Sequence, residues 1–184
     1  MRSSTIIAEY PAIPKTVMDI YRALPEGTLA EIIDNTIYMS PAPISNHQRI
    51  IGLLYRKIAN WLEANPLAEI FLSPIDVYLD EVANAVQPDL TIVLSDQSNI
   101  VDPEGAIHGV PAIMIEVLSK GNKKHDLVTK KDRYERFGVK EYFVIDPDSG
   151  LVIHYFLQEN GSYITAHEHL RKLQSSLLGH TFEW

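Results

Sequence analysis

The segment Ala112-Ile-Met-Ile-Glu-Val-Leu118 constrains this chain most. A strand with one face in water alternates apolar and polar residues. This run is apolar at both parities except at Glu116, so it reads as a strand with a layer packed on each side. The stretch from Asp89 to Leu94 has the same β-branched and apolar content. The expected fold class is therefore α/β, a central mixed sheet flanked by helices. A carboxylate inside such a strand is costly to bury alone. Glu116 thus needs an ion-pair partner, a metal, or a strand end that reaches solvent.

The remaining elements follow from periodicity and turn chemistry. Val17, Ile20, Tyr21 and Leu24 recur at helical spacing and predict a short helix over 15–24, ended by Pro25 and Gly27. Strands are predicted over 29–33 and 36–40, with Asp34-Asn35 between them suited to a tight turn of positive φ. Ser45 followed by Gln48 has capping-box spacing, and Ile51, Leu54, Ile58 and Leu62 stripe a long helix up to Asn65-Pro66. Further strands are predicted over 69–72, 75–79, 141–145, 151–157 and 162–166, and a helix over 124–137. Asp146-Pro-Asp-Ser-Gly150 and Asn160-Gly161 supply turns. With 184 residues, no repeat and no linker-like tract, one domain over 1–184 is expected.

Composition excludes several classes. The chain has no cysteine, so disulfide frameworks, thiolate zinc sites and cysteine nucleophiles are absent. No apolar run reaches the roughly 18 residues of a membrane span, and Met1 to Pro14 lacks a secretory pattern. A cytoplasmic location is expected. The net charge of −8 argues against a general nucleic-acid coat protein. Yet Lys120, Lys123, Lys124, Lys130, Lys131, Arg133, Arg136 and Lys140 face only Asp126, Asp132 and Glu135 within residues 120–140, a window of +5 against −13 elsewhere. That window is either a solvated helix face or a phosphate-contacting one.

Lys130 is the second polar residue at a position the pattern marks as buried. At about 100° per residue, Leu127, Tyr134 and Phe137 form a stripe with Lys130 near its centre. Snorkelling to water would also account for Lys130; Lys131, at the edge of the stripe, reads as a surface lysine. A strand followed by its packing helix can bring Glu116 and Lys130 together. Asp89 follows Gln87-Pro88 at the entry to the next apolar strand, a turn signal when taken alone. With the other two it completes a set of two acids and a lysine. Oxygen ligands of this kind suit Mg²⁺ or Mn²⁺. Such an ion stabilises charge on phosphoryl and leaving-group oxygens, while a nearby lysine can orient or deprotonate water.

Asp126 lies one turn before Lys130 and either orients it or simply favours the helix dipole. His47, Lys124 and His125 are candidates for phosphate contact or support, with surface placement the plainer reading of the histidines. His167 and His169 alternate on a predicted strand and share a face. With no third ligand in view, a solvated pair is the better reading than a metal site. No Gly-rich phosphate loop, nucleophile elbow or zinc-protease helix is present.

From Ala30 to about Ile164 the sequence resembles the Uma-type putative restriction endonucleases, a family expanded in cyanobacteria and assigned to the PD-(D/E)XK nuclease superfamily. The resemblance rests on Ala30-Glu31-Ile-Ile-Asp34-Asn35, Met39-Ser-Pro41, His47-Gln-Arg-Ile50, Val86-Gln-Pro-Asp89-Leu90, Ile115-Glu116-Val-Leu-Ser119, Asp126-Leu-Val-Thr-Lys130, Tyr134, and Glu141-Tyr-Phe-Val-Ile-Asp-Pro147. It implies a restriction-endonuclease-like core, a homodimer, and a site of Glu31, Asp89, Glu116 and Lys130, with Asp89 and Glu116 on the metal. The superfamily's usual lysine position, two residues after the second acid, is Leu118 here; Lys130 would replace it from the following helix. Ala30, Asn35 and Lys120-Gly121 stand where the family usually has tyrosine, glycine and proline-serine. Glu31 reads equally as an exposed cross-strand partner in its hairpin.

Two classes of function follow. One is a Mg²⁺- or Mn²⁺-dependent endonuclease acting on DNA, or on RNA or branched substrates. The other is an inactive nuclease-fold dimer that binds nucleic acid or protein, with Glu116 and Lys130 merely paired inside.

Overall fold

The computed structural model describes residues 13–184 except Glu104, Lys120 and Asn122. The chain begins with helix α1 (Val17–Arg22), capped reciprocally by Thr16 and Asp19, and the hairpin of strands β1 (Ala30–Ile33) and β2 (Thr36–Met39). Asp34 and Asn35 between them take φ of 49° and 58°, as a two-residue turn between right-twisted strands requires. Helix α2 (Ser45–Ala64) follows, burying Ile51, Leu54, Ile58 and Leu62 along one face.

The capping box expected at Ser45 and Gln48 does not form. The chain enters extended from Pro41-Ala-Pro43, so Ile44 (φ −81°, ψ 160°) becomes the N-cap and Ser45 already lies inside the first turn, which has no side-chain cap.

Next come β3 (Ala68–Leu72), β4 (Val77–Tyr78), β5 (Ala85–Val86), β6 (Leu90–Leu94), β7 (Ile107–His108) and β8 (Ile113–Val117). The predicted helix over 124–137 is compound, a π-helical turn at His125–Lys130 running into α3 (Lys131–Phe137), which Gly138 ends at φ 87°. The chain closes with β9 (Glu141–Ile145), β10 (Leu151–Leu157), β11 (Tyr163–Leu170), β12 (Lys172–Ser175) and β13 (His180–Glu183).

Six strands form the central mixed sheet in the order β11-β10-β9-β8-β6-β3. Within it β8 and β9 run parallel, joined by the crossover through α3, and the other pairs are antiparallel. A second sheet, β2-β1-β5-β4-β7, and the hairpin β12-β13 complete the fold. One face of the central sheet, with Ile113, Ile115, Val117 and Phe143, packs on α2 and the closing hairpin. The other, with Met114, Tyr142 and Val144, packs on Tyr134 of α3 and on Ile33, Val77 and Val86 of the second sheet. Every residue of β8 is therefore buried, as its sequence predicted.

The closing hairpin is tied down by a carboxylate. Glu141, fully buried, accepts hydrogen bonds from Ser175 Oγ (2.5 Å), Ser176 N (2.7 Å) and Leu177 N (3.3 Å). Removing it strands three donors, so Glu141→Ala is expected to cost about 3 kcal/mol, read as a lower urea midpoint at unchanged slope.

Candidate active site

Side chains alternate along β8, so Glu116 shares the face of Met114 and turns toward α3. On the paired strand β6, Leu90 stands opposite Ile115; one step further, Asp89 stands beside Glu116. Strand pairing thus brings the two acids together across 27 residues of sequence. Asp89 Oδ2 accepts the Val117 N–H (2.7 Å) and lies 3.1 Å from His47 Nε2 in the first turn of α2.

Lys130 closes the π-helical turn, and its side chain is 94% buried. Its Nζ donates to Glu116 Oε1 and Glu31 Oε1, each at 2.8 Å, with Asp126 Oδ1 at 3.9 Å. Tyr134, one turn on, donates its hydroxyl to the same Glu116 oxygen (3.0 Å). Glu31 comes from β1, where it also accepts the Gln87 N–H (2.8 Å). His125 Nε2 lies 3.5 Å from its other oxygen, and the His125 ring rests on Tyr38, centroids 4.7 Å apart. Glu31, Asp89, Glu116, Asp126, Lys130 and His47 line one pocket of about 280 Å³.

Four acids around one ammonium leave an excess of negative charge, and the carboxyls divide accordingly. Burial, against the pull of Lys130, holds Glu116 well above the usual carboxylate range, and the charges of Asp89, Asp126 and Glu31 add to the rise. Burial likewise lifts Asp126 to about 6 despite Lys130. Burial would lift Glu31 too, but Lys130 with hydrogen bonds from His125 and Gln87 brings it down to about 2. Burial disfavours the Lys130 ammonium, yet Glu116, Glu31 and Asp126 outweigh that and hold its proton more firmly than in water. Against its own burial, His47 is raised by Asp89.

The donor set fits a hard divalent cation. Among the described residues no hydrogen bond or ion pair reaches Asp89 Oδ1 or Glu116 Oε2, and a cation would relieve the charge excess. No group of three or more His, Cys, Asp or Glu able to hold a metal occurs among the described residues. The protein would thus offer two carboxylates and leave the other positions to water and substrate, as Mg²⁺ sites commonly do.

Residues 18–183 match the family model Uma2, described as "Putative restriction endonuclease". The chain belongs to the Uma2 family. A crystal structure from Anabaena variabilis ATCC 29413, of a putative nuclease belonging to DUF820, superposes with a TM-score of 0.65 at 21% identity, covering 79% of this chain and 82% of that one. That likeness bears on fold, which is restriction-endonuclease-like: α/β with a central mixed sheet and flanking helices. No curated protein matches the chain. No helix among the described residues is long and apolar enough to cross a membrane.

Of the residues singled out from sequence, Glu31, Asp89, Glu116, Asp126, Lys130 and His47 meet in the pocket. Glu31 is 4% exposed and His47 7%, so neither is the surface group that the local pattern allowed. Lys124 is exposed and does not line the pocket. The basic window is partly neutralised where it stands: Lys123 pairs with Asp146, Arg133 with Asp34 and Arg136 with Asp132. Lys131 stands over the rings of Tyr155 and Tyr163, and Lys120 lies outside the described residues. His167 and His169 share a face of β11, their rings stacked 5.3 Å apart. Tyr134 and Gln87 were missed as site residues: the first sat in an apolar stripe, and the second acts partly through its backbone N–H.

Proposed function

We propose that this Uma2-family protein is a Mg²⁺- or Mn²⁺-dependent endonuclease that hydrolyses phosphodiester bonds of DNA, acting as a cytoplasmic homodimer. The observation that carries the reading is the pairing of Asp89 and Glu116 across neighbouring strands beside Lys130, each acid keeping one oxygen without a partner among the described residues.

Asp89 through Oδ1 and Glu116 through Oε2 would hold the ion, which when bound supplies Lewis-acid stabilisation of charge on the phosphoryl and leaving-group oxygens. The remaining work falls to the chain's own groups. His47 and the Val117 N–H fix Asp89 by its other oxygen. Lys130 and Tyr134 fix Glu116 by Oε1, so neither carboxylate need reorganise. Lys130 keeps its proton between two carboxylates, and its share is to orient the attacking water rather than to deprotonate it. Asp126, 3.9 Å from the ammonium and raised to about 6, is the carboxylate best matched to take a proton near neutrality.

The competing reading, an inactive nuclease-fold binding module, accounts for the Glu116–Lys130 pair. It leaves the free carboxylate oxygens and the surplus acids without a role. Supercoiled plasmid incubated with pure protein is expected to be nicked in Mg²⁺ or Mn²⁺ and to stay intact in EDTA. RNA and branched DNA run in parallel identify the substrate, and no cleavage of any substrate in either metal favours the module.

A further inference from the structure

A phosphate backbone is an awkward ligand for this chain. Its net charge is −8, and the pocket lining carries more acids than cations. Affinity for such a backbone comes from cations free to replace its counterions. Many of the lysines and arginines are already ion-paired, at Arg22, Lys123, Lys130, Arg133, Arg136 and Lys172. Helix α2 is different. Among the described residues its three cations, Arg49, Arg56 and Lys57, meet no carboxylate at ion-pair distance. Arg49 reaches the amide oxygen of Asn46, at 3.4 Å. The helix's one acid, Glu63, lies in the last turn, away from the pocket.

The two arginines stand on one line. Because α2 buries Ile51, Leu54, Ile58 and Leu62, the i, i+3, i+7 set of Arg49, Gly52 and Arg56 faces outward, and all three are exposed. Two turns separate the arginines, about 10 Å along the axis. Between them Gly52 breaks a local rule. Glycine is the poorest helix former after proline, yet a Cβ at this position would meet nothing within 4 Å, so no internal contact requires its absence. Bare helix backbone between two unpaired arginines suits the close approach of a ligand from outside. The line also leads to the site: His47 and Gln48, next to Arg49, line the pocket of Asp89 and Glu116.

We propose that the solvent face of α2 is a track for the phosphate backbone of a nucleic-acid duplex, with Arg49 and Arg56 on phosphates and Gly52 letting the strand lie close to the helix. The track rests on the endonuclease reading for its ligand: the strand cut at the Asp89–Glu116 pair runs on along α2. Contacts of this kind fix the register of the duplex without reading its sequence. Two copies of the chain joined by this face would bring four arginines against two glutamates, so charge favours the duplex.

Fluorescein-labelled duplex DNA is titrated by anisotropy in Ca²⁺ over a range of salt. Wild type is compared with the double variant Arg49→Gln with Arg56→Gln, with Gly52→Gln, and with Arg136→Gln. The double variant is expected to bind about 10-fold or more weakly, and its slope of log affinity against log salt to be shallower by about 2. Gly52→Gln is expected to melt at a higher temperature than wild type, glutamine being the better helix former, and still to bind about 10-fold more weakly. Arg136, on α3 and already paired with Asp132, is expected to be replaceable without effect.

Unchanged binding in either α2 variant, or no duplex binding by wild type, would overturn the track. Metal-dependent nicking of plasmid by the same wild type would then leave the endonuclease reading standing. Salt-dependent binding weakened in both α2 variants, from a wild type that nicks no plasmid, would support the track and count against the endonuclease. If Gly52→Gln instead splits a dimer in sedimentation velocity and binds duplex as wild type does, the face joins two copies and the track is overturned.

Discussion

Glu116→Gln is expected to lower metal-dependent strand cleavage by about 1000-fold or more without unfolding the protein, since losing about 4 kcal/mol of transition-state stabilisation has that effect on a rate. The amide keeps an oxygen for Lys130 and Tyr134, which now meet Glu116 Oε1, and gives up the charge a divalent ion needs. Stability should move the other way. Burial, reinforced by Asp89, Asp126 and Glu31, raises the Glu116 carboxyl above its ordinary 4.5. In the folded, metal-free protein the cost of ionising it is absent below pH 4.5 and grows above it. Glutamine removes that cost, so metal-free Glu116→Gln should unfold at an equal or higher urea concentration than wild type at pH 7. Cleavage at the wild-type rate would refute the assignment of Glu116.

Lys130→Met has the largest expected effect on stability, a loss of about 3–5 kcal/mol at pH 7 in metal-free protein. Glu31 would lose a 2.8 Å ion pair and Glu116 a 2.8 Å hydrogen-bond donor while both remain buried. The pH dependence follows from Glu31, whose carboxyl the folded protein holds at about 2 against an ordinary 4.5. A lowered acid contributes stability that is fully present above pH 4.5 and is lost as the pH falls through about 2. The gap between wild type and variant should therefore be widest above pH 4.5 and narrow below it, in urea melts across that range. Neutralising both partners as well, in the triple variant with Glu31→Gln and Glu116→Gln, should restore most of the loss. An unchanged urea midpoint in the single variant at pH 7 would mean that Lys130 is not the counter-charge of this site.

What could be read from the sequence divides along physical lines. Glu116 and Lys130 were legible because each is polar where its neighbours demand burial, in β8 and on the stripe of Tyr134. Lys130 kept that place although its turn is π-helical rather than α-helical, because it sits where the wide turn rejoins the regular helix. Asp89 carried no local signal beyond its proline. Its standing comes from the strand register that places Leu90 opposite Ile115, which no pattern within one segment encodes. Glu31 was ambiguous for the same reason: its hairpin partner is Tyr38, but what buries it is the approach of Lys130, Gln87 and His125 from other elements. The two-residue strands β5 and β7 are too short to show alternation. The false capping box at Ser45 failed at the place where the open helix end meets the pocket, and sites are where local rules are most often broken.

Calorimetric titration of Mn²⁺ into metal-free protein decides whether Asp89 and Glu116 together hold one divalent ion. Saturable binding is expected for wild type and is expected to be lost in Asp89→Asn and in Glu116→Gln, with protons released on binding because Glu116 must ionise to take part. No binding by wild type, or binding unaltered in Asp89→Asn, would contradict it.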